Sequence, residues 1–208
     1  MELSVSILNS KDRKNMIKIL NDTNISYIHI DTMDGKFVKE TNFNTKEIKE
    51  LSQVTNKKLD IHLMVLDPIE YIEKLKELNN IEYITVHLEI DKDIKSILKQ
   101  IRSYGIKSGI SIKPNTDIKD LLPYLEYIDL ILVMTVEPGY GGQPFISTSP
   151  NRINKIKELI KDYNIKIEVD GGINDNTISK VKEADLVVVG SYITKSDDPV
   201  SKINNLIV

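Results

Sequence analysis

Short runs of β-branched and other apolar residues alternate with longer stretches in which apolar residues recur every three or four positions, and the alternation persists along almost the whole chain. The short runs predict eight strands, at residues 3–8, 25–31, 59–64, 83–87, 106–112, 130–134, 166–170 and 186–189. Helices are predicted between them. In the segment 68–78, Ile69, Ile72, Leu75 and Leu78 fall at three-residue steps, behind Asp67 as N-cap and Pro68 at the first helical position. Segments 91–104, 151–163 and 174–183 have the same spacing, each introduced by Asp, Ser or Asn. Less regular versions occupy 12–21 and 117–125.

Eight successive βα units admit a closed (β/α)₈ TIM barrel or an open doubly wound sheet. An open sheet binding a dinucleotide would carry G-x-G-x-x-G after an early strand, which this chain lacks. The barrel is therefore expected. No Gly/Ser-rich or Pro-rich linker interrupts the series, so residues 1–208 are read as a single domain with short loops. Strand starts are mostly about 20–24 residues apart, and the extra chain falls after the second strand (33–43) and the sixth (136–150). In a barrel those loops lie on the C-terminal face, where activity is housed.

Composition narrows the chemistry. Of 208 residues none is Cys or Trp and three are His, which excludes disulfides, thiolate zinc sites and a cysteine nucleophile. Twenty-eight Lys and Arg against 31 Asp and Glu give a net charge of -3, so no global basic field recruits nucleic acid or anionic lipid. The start, Met1-Glu2-Leu3-Ser4, has no basic leader, and no apolar run suggests a membrane span. The expectation is a soluble cytoplasmic protein without nucleic-acid or membrane partners.

His29, His62 and His87 fall near the ends of the second, third and fourth predicted strands, and all three are expected at one rim. His29 and Asp31 are an i, i+2 pair on one strand face, and Asp170 ends the seventh strand. Two imidazoles and two carboxylates converging there suit Zn²⁺, Fe²⁺, Mn²⁺ or Co²⁺, or else form a hydrogen-bonded polar cluster. A second H-x-E pair, His87 and Glu89, is read as support for such a site rather than part of it. Met33, Met64 and Met134 sit at strand ends and would give the site a dry lining. Glycines follow the last three strands, in Pro138-Gly-Tyr-Gly-Gly-Gln-Pro144, Gly171-Gly172 and Gly190-Ser191, where this fold commonly builds phosphate sites from backbone N–H groups.

These stretches, together with Ser6-Ile-Leu-Asn-Ser10, His29-Ile-Asp-Thr-Met-Asp-Gly35, Asp60-Ile-His-Leu-Met-Val65, Val133-Met-Thr-Val-Glu-Pro138 and Glu168-Val-Asp-Gly-Gly-Ile173, resemble the ribulose-phosphate 3-epimerase family over nearly the full chain. The resemblance implies a metal-dependent isomerase that interconverts D-ribulose 5-phosphate and D-xylulose 5-phosphate in the pentose phosphate pathway, through an enediolate. It implies one divalent metal ion (Zn, Fe, Mn or Co) on His29, Asp31, His62 and Asp170, with Asp31 and Asp170 also the catalytic acid/base pair. By the same resemblance Ser6 and His62 contact the sugar, and Gly141, Gly142, Gly172, Gly190 and Ser191 the phosphate. A homo-oligomer is expected on the same ground.

The chain departs from the family pattern at Val5 (commonly Pro), Lys36 and Lys39 (His and Pro), Tyr140 (Phe) and Tyr192 (Ala), none of them a proposed ligand. Competing readings are an epimerase of another ketose phosphate such as allulose 6-phosphate, a phosphosugar lyase or decarboxylase using Lys113, and a non-catalytic sugar-phosphate binder.

Overall fold

The computed structural model describes residues 1–206. Its elements in order are β1 (Glu2–Ser6), α1 (Arg13–Asn21), β2 (Tyr27–Asp34), β3 (Thr41–Asn42), α2 (Thr45–Ser52), β4 (Lys58–Met64), α3 (Pro68–Leu75), β5 (Ile81–His87), α4 (Ile94–Ser103), β6 (Lys107–Ile112), a 3₁₀ segment (Ile118–Tyr127), β7 (Leu130–Met134), α5 (Ser149–Leu159), β8 (Lys166–Asp170), a 3₁₀ turn (Ile178–Val181), β9 (Leu186–Val189), α6 (Ser191–Thr194) and α7 (Pro199–Leu206). Eight strands pair in parallel, and β1 bonds to both β2 and β9, which closes the ring into a (β/α)₈ barrel. The ninth, β3, is a two-residue antiparallel addition to the end of β2.

Each barrel strand has two unlike faces. Residues such as Ile28, Ile30, Ile61, Leu63, Ile84, Val86, Ile131, Val133, Val187 and Val189 point outward and are buried with the helices' apolar residues in one continuous cluster. The other face fills the interior in layers of four drawn from alternate strands. Tyr27, Tyr83, Leu130 and Leu186 form an apolar floor. By strand register, Ser4, Asp60, Gly109 and Glu168 lie above it, then His29, Thr85, Leu132 and Val188, then Ser6, His62, Ser111 and Asp170, and last Asp31, His87, Met134 and Gly190. A Cβ at Gly109 would strike Thr85 Oγ1, so only glycine fits that interior position. The three histidines therefore occupy three successive layers instead of one rim, because neighbouring parallel strands are staggered.

Three other expectations are corrected. Segment 174–183 forms only the short 3₁₀ turn, since Asn174 Oδ1 accepts from Asn176 N–H (2.9 Å) and Thr177 Oγ1 from Asn174 N–H (2.9 Å), spending the start of the predicted helix on turns. Segment 117–125 is 3₁₀, with Pro123 inside it. Asp67 makes no cap hydrogen bond; its Oδ2 lies 3.5 Å from Lys92 Nζ.

The extra chain after β2 builds β3, Phe43 and α2, the last of these not assigned from sequence. Phe43 is buried with φ of +47°, a strained value for a bulky side chain. Arg13 covers its ring at 3.8 Å and donates to Glu47 Oε1 (2.6 Å) and Asn42 Oδ1 (2.6 Å), so one guanidinium ties α1 to β3 and α2.

Candidate active site

The C-terminal ends of the strands surround a cavity of about 500 Å³, whose wall includes Ser6, Asp31, Met33, Met64, Met134 and Asp170 together with the glycine turns. His29 and His62 are not among its lining residues; both are fully buried. The structure brings His29, Asp31, His62 and Asp170 together so that one ligand atom from each lies within 4.8 Å of all the others.

The hydrogen bonds of this cluster can be counted. Asp60 Oδ2 accepts from Ser4 Oγ (2.8 Å) and lies 2.6 Å from His29 Nδ1, so His29 carries a proton on Nδ1 and turns Nε2 toward Asp31. That Nε2 is 3.2 Å from Asp31 Oδ1 yet buried without a hydrogen bond. His62 Nδ1 is 3.3 Å from the same Asp31 oxygen, while Ser6 Oγ donates to Asp31 Oδ2 at 2.7 Å. Carboxylate oxygens and imidazole nitrogens thus converge on a point at the inner end of the cavity, where the carboxylate charges are costly unless something positive sits among them. Two imidazoles and two carboxylates fit a borderline divalent cation there.

The electrostatics show the same demand. Burial opposes charge on His29, but Asp60 and Asp31 outweigh it and hold the pKa well above the usual imidazole value. Burial also works against the Asp31 carboxylate, and His29 and His62 outweigh it, leaving Asp31 well below the usual range. Asp170 goes the other way: burial, then the charges of Asp31 and Asp60, push it up to about 7. Below them, burial and the neighbouring Asp60 carboxylate drive Glu168 well above the carboxylate range, which favours its neutral form. Asp60 and Glu168 were not identified from sequence, because their partners come from other strands and only the register brings them together.

His87 Nε2 stands 2.9 Å from His62 Nε2, and His87 Nδ1 lies 2.9 Å from Glu89 Oε2, which agrees with the supporting position expected for this pair. Burial lowers His87 to about 4; hydrogen bonds and the imidazole beside it overcome burial at Glu89 and bring it to about 2. Phe37 from the loop after β2 stacks on His87 at 4.5 Å between centroids, and Lys113 Nζ lies 4.1 Å above the other ring, that of Phe37.

On the far side of the cavity, Gly141, Gly142, Gly172, Gly190 and Ser191 form one bare-backbone cradle. At Gly172, φ is +67° and a Cβ would lie 2.5 Å from Phe145 N, so the turn requires glycine. Asn9 Nδ2 donates to Ser191 Oγ at 2.8 Å, and Lys195 Nζ lies 4.0 Å from where a Cβ of Gly142 would be, two contributions that motif reading missed. Thr135 Oγ1 bridges the carbonyls of Asp170 (2.9 Å) and Gly171 (2.6 Å), locking the end of β8 to β7. Of the departures, Lys36 and Lys39 are exposed and border a second, smaller cavity with Lys113; Tyr140 is 64% exposed at the mouth; Val5 packs outward in the barrel wall; and Tyr192 lines the main cavity.

No helix among the described residues is long and apolar enough to cross a membrane. Among solved structures, a 3-hexulose-6-phosphate synthase superimposes with a TM-score of 0.70 over 99% of this chain and 98% of that one at 16% identity, a likeness of fold. Among curated proteins, a ribulose-phosphate 3-epimerase of Helicobacter pylori (strain J99) is 36% identical over 202 residues, 95% of this chain and 93% of that protein. The Mycobacterium tuberculosis (strain H37Rv) ribulose-phosphate 3-epimerase is 35% identical over 181 residues, 85% of this chain and 79% of that protein. A relative from Oryza sativa, 35% identical over 187 residues, 86% of this chain and 80% of that protein, is named the cytoplasmic isoform. The family model described as the ribulose-phosphate 3 epimerase family matches residues 2–194. With its barrel and clustered site residues, the chain belongs to the ribulose-phosphate 3-epimerase family.

Proposed function

We propose that this protein interconverts D-ribulose 5-phosphate and D-xylulose 5-phosphate, in the pentose phosphate pathway, with a divalent cation bound by His29, Asp31, His62 and Asp170. The observation that carries the reading is the meeting of two carboxylates from different strands, Asp31 and Asp170, at one cavity, with ligand atoms of both within 4.8 Å of each other and of His29 and His62. Inverting C3 means taking a proton from one face of the carbon and returning one to the other, which needs a base and an acid at once. Asp31, stabilised as the anion, serves as base toward one face. Asp170, in its protonated form, serves as acid toward the other, and the two exchange roles in the reverse direction.

The cation supplies Lewis acidity, stabilising the negative charge that develops on the substrate's oxygens. Ser6 holds Asp31 in place and faces the sugar. The backbone of Gly141, Gly142, Gly172, Gly190 and Ser191 receives the phosphate, and Lys195 adds a positive charge at the edge of that cradle. Met33, Met64 and Met134 keep water from the intermediate. A lyase or decarboxylase using a strand-end lysine is less well supported, because no lysine lines the main cavity among the described residues.

The test is turnover of D-ribulose 5-phosphate in D₂O with added Mn²⁺, Zn²⁺, Fe²⁺ or Co²⁺. The expected product is xylulose 5-phosphate with deuterium at C3 and an unbroken carbon chain, with Asp170→Asn losing at least about 100-fold in kcat. A cleavage product, or faster turnover of allulose 6-phosphate, would overturn the assignment.

A further inference from the structure

A line of hydrogen bonds leads from the candidate metal ligands to the outer helix layer. It starts at the 2.9 Å contact between His62 Nε2 and His87 Nε2 and continues through His87 Nδ1 to Glu89 Oε2, also 2.9 Å. The other Glu89 oxygen accepts from Lys113 N–H (2.7 Å) and from the Thr116 hydroxyl. Both donors belong to the turn after β6, which Arg152 of α5 grips through the carbonyls of Thr116 (2.5 Å) and Lys113 (3.1 Å). His62 and His87 are fully buried, so water cannot substitute for a mismatched partner.

Donor and acceptor capacity then sets the direction of the two 2.9 Å contacts, which take precedence over the longer 3.3 Å contact to Asp31. A carboxylate only accepts, so His87 carries its proton on Nδ1. A neutral imidazole has a single N–H, so His87 Nε2 is an acceptor and His62 Nε2 must be the donor. His62 Nδ1 is left as a bare lone pair, 3.3 Å from Asp31 Oδ1. In the other tautomer of His62 a proton would satisfy Asp31, but two lone pairs would face each other at 2.9 Å in a dry interior.

We propose that Glu89, held by Thr116, the Lys113 backbone and Arg152, is a positioning residue that sets the tautomer of His62 through His87, so that His62 Nδ1 is presented bare to a divalent cation. The inference rests on reading the four-residue cluster as a metal site and is independent of which sugar phosphate is turned over. Glutamine at position 89 could donate its amide hydrogen to His87 Nδ1. That would reverse the whole line and put a proton on His62 Nδ1, where the cation belongs.

Two measurements test it. With only three histidines in the chain, ¹⁵N-histidine NMR of the metal-free protein reads each tautomer, and His62→Asn identifies the His62 signals. The expected wild-type result is His62 protonated on Nε2; protonation on Nδ1 would overturn the proposal, whatever any variant does. In Co²⁺ titrations followed by visible absorption, Glu89→Gln is expected to bind about 10–100-fold more weakly than wild type, with His62 switched to the Nδ1–H form. An unchanged tautomer and affinity in Glu89→Gln would overturn the relay. A wild-type protein that takes up no Co²⁺ would instead overturn the metal reading, while the NMR result still decides the tautomer.

Discussion

Asp31 and Asp170 have the same functional group, Asp31 buried and Asp170 half-buried at the cavity, and it is their neighbours that separate them. Asp31 has two imidazoles and the Ser6 hydroxyl beside it, whereas Asp170 faces mainly other carboxylates. The H-x-D spacing made the first of these visible in the sequence, because residues two apart on a strand share a face. What opposes Asp170 was not visible, since Asp31 and Asp60 approach from β2 and β4, strands distant from it in the chain. Glu89 is the clearest case of a neighbour-dependent group. Its pKa drops from 4.5 unfolded to about 2 folded, so it stabilises the fold above about pH 4.5, and that stabilisation fades as pH falls toward 2. Wild type is therefore expected to exceed Glu89→Gln by about 3 kcal/mol near neutrality, with the gap narrowing below pH 4.5 in urea-unfolding curves. A gap that stays constant down to pH 3 would contradict this.

Strands were more evenly legible than helices, of which those at 12–21, 68–78, 91–104 and 151–163 form and those at 117–125 and 174–183 do not. In β2, β4 and β8 an apolar residue facing the helices alternates with a polar one facing the interior, a period of two that survives translation into register. Helix spacing is less decisive in this chain. Residues 174–183 carry suitable apolar positions, but Asn and Thr side chains compete for the backbone and leave a single 3₁₀ turn. The chain after β2 looked like spare loop for function, and most of it is structural. Arg13, Asn42, Phe43 and Glu47 make a joint between α1, β3 and α2 around one strained residue. Arg13→Ala is expected to cost about 1–2 kcal/mol by removing three hydrogen bonds, to Glu47, Asn42 and the Leu8 carbonyl, and a cation–π contact. Thermal or urea denaturation checks this, and a loss below a few tenths of a kcal/mol would show that the joint is held by Phe43 alone.

The (β/α)₈ architecture followed from eight repeats and the missing dinucleotide motif, and the length of 208 residues, short against roughly 250 for the fold, matches connections cut close to turns. What no linear pattern displayed is the vertical arrangement inside the barrel: an apolar floor, a Ser4, Asp60 and Glu168 tier above it, then the imidazoles, then the open cavity. Tyr27, Tyr83, Leu130 and Leu186 seal the lower end. A seal at one end makes the mouth the common doorway for ion and sugar, and traffic through a common doorway has an order. With the proposed function, the ion would have to arrive before the sugar phosphate and could leave only after it. Loss of metal to a chelator is therefore expected to slow in proportion to the fraction of cavities occupied by substrate, and equal stripping rates with and without saturating D-ribulose 5-phosphate would rule that order out.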